Sequence, residues 1–177
     1  MIDTKVPQWY AFVTRPRHEK KVYEQLQKAG ITSFLPLQKK LSQWKDRRKW
    51  IETPLFSCYI FSKIPFIYRY DVLKVPSVVR IVSFNKTPTP VREQEIRAIE
   101  TLIETRTEMN IFDGFLPGDS VRIANGPLAG YEGILVDYRG KKWFVIYIEV
   151  LGKSILVDIA ENLVEKIKTE KSKVLGF

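Results

Sequence analysis

The sequence predicts an α+β fold in two parts, a layered N-terminal domain with a mostly antiparallel sheet and a small β-barrel after it. Two observations predict this: strands alternate with amphipathic helices in the first part, and only short strands between glycine-containing turns follow. The predicted boundaries are residues 1–107 for the first domain, 108–114 for a linker, 115–168 for the barrel and 169–177 for a flexible tail.

The first elements follow from residue type and spacing. Aromatic and β-branched residues predict a strand at 8–14. A helix is predicted next, with Pro16 in its first turn, Val22 and Leu26 on its apolar face and Gly30 at its end.

The rest of the first domain is predicted in the same way. The helix near its end has Ile96, Ile99 and Ile103 on one face. In order, we predict a strand at 31–37, a basic hairpin tip at 39–50, a buried strand at 54–64, a short helix at 66–75, a strand at 78–84 and a helix at 92–106.

Positive charge is concentrated in the first half of the chain. The 177 residues include 29 Lys and Arg against 20 Asp and Glu, a net charge of +9. Residues 14–50 hold eleven Lys and Arg against three acidic residues, whereas residues 115–168 hold seven of each. Clustered cations neutralise phosphates, so the first half is predicted to contact nucleic acid and the neutral barrel a protein. A basic face that only keeps the chain soluble is the alternative.

Several function classes are excluded by residue content. Cys58 is the one cysteine, so no internal disulfide forms, and no apolar run is long enough to span a membrane. We therefore expect a cytoplasmic protein without membrane contact.

A rival interpretation is an enzyme that uses Cys58 and His18, but the sequence offers no orienting acid or oxyanion loop. No metal-ligand cluster, Walker loop or dinucleotide loop is visible, so neither a metal nor a cofactor is predicted.

Four segments, in this order, carry a family resemblance: WYAFVTRPRHEKK at 9–21, PLFSCYIF at 54–61, VPSVVRIV at 75–82 and PGDSVRIANGPLAGYEG at 117–133. Together they resemble the NusG family of transcription elongation factors. The resemblance implies a NusG N-terminal (NGN) α/β sandwich followed by a KOW domain, a five-stranded SH3-like barrel. TRPRHEKK and LPLQKKLSQWKDRRKW are more similar to the specialised RfaH-like and UpxY-type antiterminators of polysaccharide operons. Ser57 and Cys58 depart from the usual residues after PLF.

The resemblance implies an apolar surface that grips the clamp helices of bacterial RNA polymerase. Rigid aromatic side chains suit such a contact, although they also suit an ordinary core. Phe56 and Tyr59 are three residues apart, so an ideal strand would place them on opposite faces. The matching positions are Trp9, Tyr10, Phe56, Tyr59 and Phe61.

The resemblance to RfaH-like members also implies contact with the non-template DNA strand. Long cations reach phosphates, and an arginine or histidine can stack on a flipped base. The matching residues, which would otherwise form a solvated helix face, are Arg15, Arg17, His18, Lys20 and Lys21. The hairpin tip, with Lys45, Arg47, Arg48 and Lys49, is a second candidate for contact with nucleic acid or polymerase.

The glycine-containing loop of the barrel matches the KOW loop. Gly126, Gly130 and Gly133 are predicted to supply turn conformations or close backbone approach, and Pro127 fixes the start of the loop. The resemblance implies that the barrel recruits a ribosomal protein or termination factor Rho, unless the loop is purely structural. The apolar positions that match the partner contact are Leu128, Tyr131 and Leu151.

The resemblance therefore implies a monomeric, non-enzymatic elongation and antitermination factor that holds the polymerase clamp closed against pausing. The alternative is a KOW-containing ribosome-associated or RNA-binding protein, which would need a basic barrel. RfaH can hold its C-terminal domain as a helical hairpin. Here KWFVIYIEV and SILVDI are so rich in β-formers that a stable barrel is predicted instead.

Overall fold

The computed structural model describes residues 5–43, 48–158 and 164–167. The chain divides into two compact units, with the boundary between Ile103 and Glu104. The first unit contains β1 (Gln8–Thr14), α1 (Glu19–Lys28), β2 (Ser33–Phe34), β3 (Leu37–Gln43), β4 (Arg48–Pro54), β5 (Tyr59–Ile64), α2 (Arg69–Leu73), β6 (Val78–Ile81), β7 (Ser83–Phe84), β8 (Thr87–Pro88) and α3 (Glu93–Glu104).

The main sheet of the first unit has four strands in the order β2-β5-β1-β6, and each neighbouring pair is antiparallel. One face of it packs against α1 and α2. Alternation along β1 puts Tyr10 and Phe12 on this face, opposite Ser62 and Ile60 of β5. A buried cluster joins the sheet to the helices, and its members are Tyr10, Phe12, Val22, Leu26, Leu35, Ile60, Ile64 and Val72.

Helix α1 begins later than the sequence predicted. Pro16 does not lie in its first turn, because the chain makes a separate turn through Arg17 (φ 64°) before the helix begins at Glu19. The end of the helix is confirmed: Gly30 has φ +72° and its amide donates to the carbonyl of Gln27. The helix therefore places its first turn directly beside the end of β1.

Helix α3 is amphipathic, as predicted. Ile96 and Ile99 are buried as predicted, together with Leu102, whereas Ile103 is only half-buried. Its start is capped from within, since the Glu95 carboxylate accepts a hydrogen bond from the Arg92 amide at 3.2 Å. Burial raises the pKa of Glu95 above its ordinary value, against the lowering effect of Arg92.

The basic segment forms the two strands of a hairpin rather than only its tip. Strands β3 and β4 pair antiparallel from Leu37 opposite Pro54 to Gln43 opposite Arg48. Lys45 and Arg47 of the predicted tip lie outside the described residues.

The second unit is a small antiparallel barrel-type sheet. Its strands are β9 (Met109–Asp113), β10 (Asp119–Ile123), β11 (Glu132–Tyr138), β12 (Lys141–Ile148), β13 (Lys153–Asp158) and β14 (Val164–Lys166). Their order is β14-β10-β11-β12-β13-β9. Alternate buried residues from β12 and β13 line one face, and these are Phe144, Ile146, Ile148, Ile155 and Val157.

Two expectations about this unit are corrected and one is supported. Residues 108–114 are not a linker, because β9 pairs along β13 from Met109 to Asp113, and the sheet has six strands rather than five. Residues 109–158 and 164–167 contain strands, turns and one 3-10 turn but no α-helix. This is the barrel that the β-branched and aromatic composition predicted. The predicted tail at 169–177 lies outside the described residues.

Candidate functional site

The loop that joins β1 to α1 is tied to both strands beside it. The Thr14 amide donates to the carbonyl of Cys58 and the Arg15 amide to the carbonyl of Ser77, each at 2.9 Å. Within the loop, His18 Nδ1 donates to the Pro16 carbonyl at 2.9 Å. A neutral His18 ring therefore carries its proton on Nδ1 and keeps Nε2 as an acceptor.

Three residues without glycine's freedom adopt left-handed backbone around this loop. Arg17, Cys58 and Ser77 have φ of 64°, 67° and 75°. Such a conformation costs an L-residue about 1 kcal/mol or more, and it persists where surrounding contacts impose it. Cys58 immediately precedes β5 and Ser77 immediately precedes β6. The strain is therefore concentrated at one end of the sheet.

Glu19 fixes the turn before β5. Its side chain is only 5% exposed, and Oε1 accepts a hydrogen bond from the Cys58 amide at 2.7 Å. Glu19 also begins α1, where a carboxylate is favoured by the helix dipole. The acidic residue of the loop is thus turned inward, away from the exposed cations. Ser57 and Cys58, which depart from the usual family residues, form a turn that this bond stabilises.

The exposed side of the loop and helix is cationic. Arg15, Arg17, Lys20 and Lys21 are exposed, whereas His18 is half-buried. Arg80, opposite Val13 in the sheet, adds a fifth exposed cation. Within the part of the chain that the structure describes, none of these five cations forms a salt bridge. Their charge is available to a phosphate backbone.

The aromatic residues predicted to bind polymerase do not share one environment. Trp9 and Phe61 lie on the sheet face opposite Tyr10, where Phe34 stands between their rings at centroid distances of 6.4 and 6.2 Å. Phe56 packs edge-on against Phe61 at 6.0 Å. Lys63 continues this face: its Nζ lies 5.9 Å from the Trp9 ring centroid and 3.0 Å from Glu93 Oε2.

Two expectations about these aromatics are wrong. Tyr10 is fully buried between the sheet and helices, where burial also raises its pKa, so it cannot be a surface contact. Phe56 and Tyr59 are not on opposite faces, because β5 begins only at Tyr59 and a turn precedes it. Tyr59 lies opposite Val13, on the face of Phe61. Trp9, Phe56 and Phe61 are buried, and Tyr59 is the half-buried member of the group.

The barrel loop uses its glycines for two different reasons. Gly126 and Gly130 have φ of +94° and +87°, with open space where a Cβ would stand. At Gly133 a Cβ would instead stand 2.5 Å from the Phe144 ring and 2.6 Å from the Val145 carbonyl oxygen. The first two supply turn conformations and the third permits close packing, as predicted.

Hydrogen bonds close the barrel loop. The Gly130 amide donates to the Ile123 carbonyl at 2.8 Å, and the Ile123 amide donates to the Tyr131 carbonyl at 2.9 Å. Pro127 is exposed at the start of the turn. Leu128 is buried and holds the loop onto the barrel, which does not fit its predicted role as a partner contact. Tyr131 and Leu151 are half-buried and keep accessible surface.

The hydrogen bonds that the structure gives His18 and Glu19 do not involve the Cys58 thiol. The His18 Nδ1 bond goes to the Pro16 carbonyl and the Glu19 carboxylate goes to the Cys58 amide, so neither activates the thiol. Within residues 5–43, 48–158 and 164–167, no group of three or more His, Cys, Asp or Glu is placed to hold a metal. No helix of the described chain is long and apolar enough to cross a membrane.

The residue that the sequence reasoning missed is Trp50. Its side chain is 66% exposed on β4, directly after the basic residues Arg48 and Lys49. The signal was an aromatic residue within the basic hairpin segment, because a two-stranded ribbon has no further sheet strand beside it.

The fold defines a protein of two compact units, an α/β unit with an antiparallel sheet and a β-barrel unit. A family model described as "Transcription termination factor nusG" matches residues 7–100, more than half of the chain. The chain belongs to the NusG family of transcription factors.

Relatives support this assignment over the whole length. The chain is 28% identical over 171 residues to the transcription termination/antitermination protein NusG of Campylobacter jejuni, covering 90% of this chain and 97% of the relative. It is 26% identical over 181 residues to NusG of Borreliella burgdorferi, covering 90% and 98%. A solved structure of Thermotoga maritima NusG has a TM-score of 0.51 at 23% identity over 92% of this chain and 98% of that one, which supports the fold.

Proposed function

We propose that this chain is an elongation and antitermination factor that binds the clamp of bacterial RNA polymerase and suppresses pausing or termination. The observation that carries the proposal is the match of the NusG family model to residues 7–100, the part of the chain that holds both the aromatic face and the free cations. The factor acts by binding and needs no catalytic residue.

The polymerase contact is assigned to the aromatic face around Tyr59. Trp9, Phe56 and Phe61 form its packed base, and Tyr59 offers accessible aromatic surface above it. A rigid aromatic on a packed base loses little entropy on binding, which is why such residues dominate interface energies.

The DNA contact is assigned to the loop between β1 and α1. Arg15, Arg17, Lys20 and Lys21 lack acidic partners in the described chain, and His18 Nε2 is left as an acceptor. The proposal that the factor acts at specific, polysaccharide-type operons rests on the TRPRHEKK and LPLQKKLSQWKDRRKW segments alone. The barrel is assigned to a ribosomal protein or Rho through Tyr131 and Leu151.

The test is capture of bacterial RNA polymerase by the immobilised full-length chain. We expect retention by the wild type and a loss of about tenfold for Tyr59→Ala, in line with removal of an interface aromatic. Phe84→Ala is the matched control, because Phe84 is an aromatic residue of the same unit that is 52% exposed.

Circular dichroism should show that both variants are folded. Two results would then contradict the proposal. Absence of retention for every version would contradict polymerase binding and favour the ribosome-associated or RNA-binding alternative. Equal loss in the Tyr59 and Phe84 variants would contradict the assigned face.

A further inference from the structure

The two-stranded ribbon formed by β3 and β4 exposes a tryptophan. Trp50, at 66%, has the most exposed large apolar side chain among the described residues. Its ring makes no aromatic or cation–π contact with any residue of the described ranges. Alternation along β4 places Arg48, Trp50 and Glu52 on one face of the ribbon.

The surroundings of this ring are strongly cationic. The ribbon carries four exposed cations against one exposed acidic residue, Glu52, and none of the four forms a salt bridge within the described chain. These cations are Lys39, Lys40, Arg48 and Lys49. Charge and aromatic surface therefore occur together on an arm that has no other sheet beside it.

We propose that this ribbon binds single-stranded nucleic acid, with Trp50 stacking on an unpaired base and Arg48 and Lys39, which lie on the same face of the ribbon, neutralising the neighbouring phosphates. The proposal rests on the nucleic-acid contact in the proposed function and adds a second site to it, with a named stacking residue and a single-stranded ligand.

The chemistry favours this ligand over the other candidates. Protein interfaces are depleted in lysine at their cores, whereas the ribbon places Lys39 and Arg48 on the same face as its aromatic residue. A tryptophan needs an open base face, and in a duplex those faces are covered by neighbouring base pairs. Cations supply sequence-independent affinity along the backbone, and stacking tolerates every base.

Fluorescence anisotropy of the full-length chain with a labelled, unstructured single-stranded DNA of about 20 nucleotides tests the proposal. Trp50→Ala should weaken binding about tenfold without changing the salt dependence, and Trp50→Phe should restore most of it. Arg48→Gln and Lys39→Gln should each lower the slope of log K against log salt by about 1. Phe84→Ala is the control and should bind as the wild type does.

The outcomes separate this proposal from the proposed function. Unchanged DNA affinity in Trp50→Ala overturns it, as does an equal loss of affinity for duplex DNA of the same sequence. Trp50→Ala should also keep the wild-type retention of polymerase. Loss of polymerase with unchanged DNA affinity would assign the ribbon to a protein contact instead. Failure of all versions to retain polymerase, with Trp50-dependent DNA binding intact, would contradict only the proposed function.

Discussion

Left-handed backbone is used differently in the two regions that carry the candidate surfaces. Around the end of β1 it is adopted by Arg17, Cys58 and Ser77, whereas in the barrel loop it is adopted by Gly126 and Gly130. The left-handed conformation costs glycine little free energy, whereas it costs other residues about 1 kcal/mol or more. The barrel loop is therefore relaxed, and the end of β1 stores strain.

The difference shows what determines the backbone conformation at each surface. In the barrel, residue type alone sets the turn. At the end of β1, the Thr14 and Arg15 amides donate hydrogen bonds and the Glu19 carboxylate accepts one, and these bonds hold side-chain-bearing residues in place. Strain of this kind is typical of functional sites, where side-chain identity is kept at a cost in stability. Five substitutions test this contrast, from the largest expected effect to the smallest.

Gly133→Ala should be the most damaging. The new Cβ would stand 2.6 Å from the Val145 carbonyl oxygen and 2.5 Å from the Phe144 ring, and backbone cannot yield as a flexible side chain can. We expect a loss of about 3 kcal/mol in the free energy of unfolding, measured by urea denaturation. A loss below about 0.5 kcal/mol would show that the close approach is not real.

Glu19→Ala removes the acceptor that holds Cys58. The part-buried Cys58 amide loses its 2.7 Å partner, so the free energy of unfolding should fall by about 1 to 2 kcal/mol. Glu19→Gln keeps an oxygen acceptor at the same place and is the control. The assigned bond would be disproved by equal losses in both variants.

Gly126→Ala and Gly130→Ala measure the cost of left-handed backbone without any clash, since nothing stands within 4 Å of the new Cβ. Each should lower the free energy of unfolding by about 1 kcal/mol in the same denaturation experiment. Values near zero would mean that the loop changes conformation at no cost.

Arg17→Gly should have the smallest effect on stability and the opposite sign. Relief of strain at φ 64° outweighs the added entropy of the unfolded chain, for a net gain of about 0.5 kcal/mol. The same variant should bind single-stranded DNA more weakly, because it loses an exposed cation. A destabilised variant would contradict the stored-strain account.

Much of the fold followed from the sequence because its signals are local. The strand at 8–14, the apolar faces of α1 and α3 and the β-rich second unit come from residue type and spacing within a few residues. Strand β9 was not predicted, because the polar residues before it and the glycine after it are typical of a linker. Its pairing partner β13 lies some forty residues later, as Asp113 opposite Lys153 shows.

The candidate site followed less completely. Exposure of Lys20 and Lys21 was predictable from helical periodicity. The burial of Tyr10 was missed, because a motif match says which residues are shared and not which face they occupy. The left-handed turns at Cys58 and Ser77 also could not be predicted, since hydrogen bonds from distant residues impose them.

The most direct test of the central claim is transcription by bacterial RNA polymerase in vitro with the full-length chain added to halted elongation complexes. The account predicts shorter pauses and more read-through at a terminator, an effect lost in Tyr59→Ala and kept in Phe84→Ala. Pause lifetimes and read-through unchanged by the wild-type chain would contradict it.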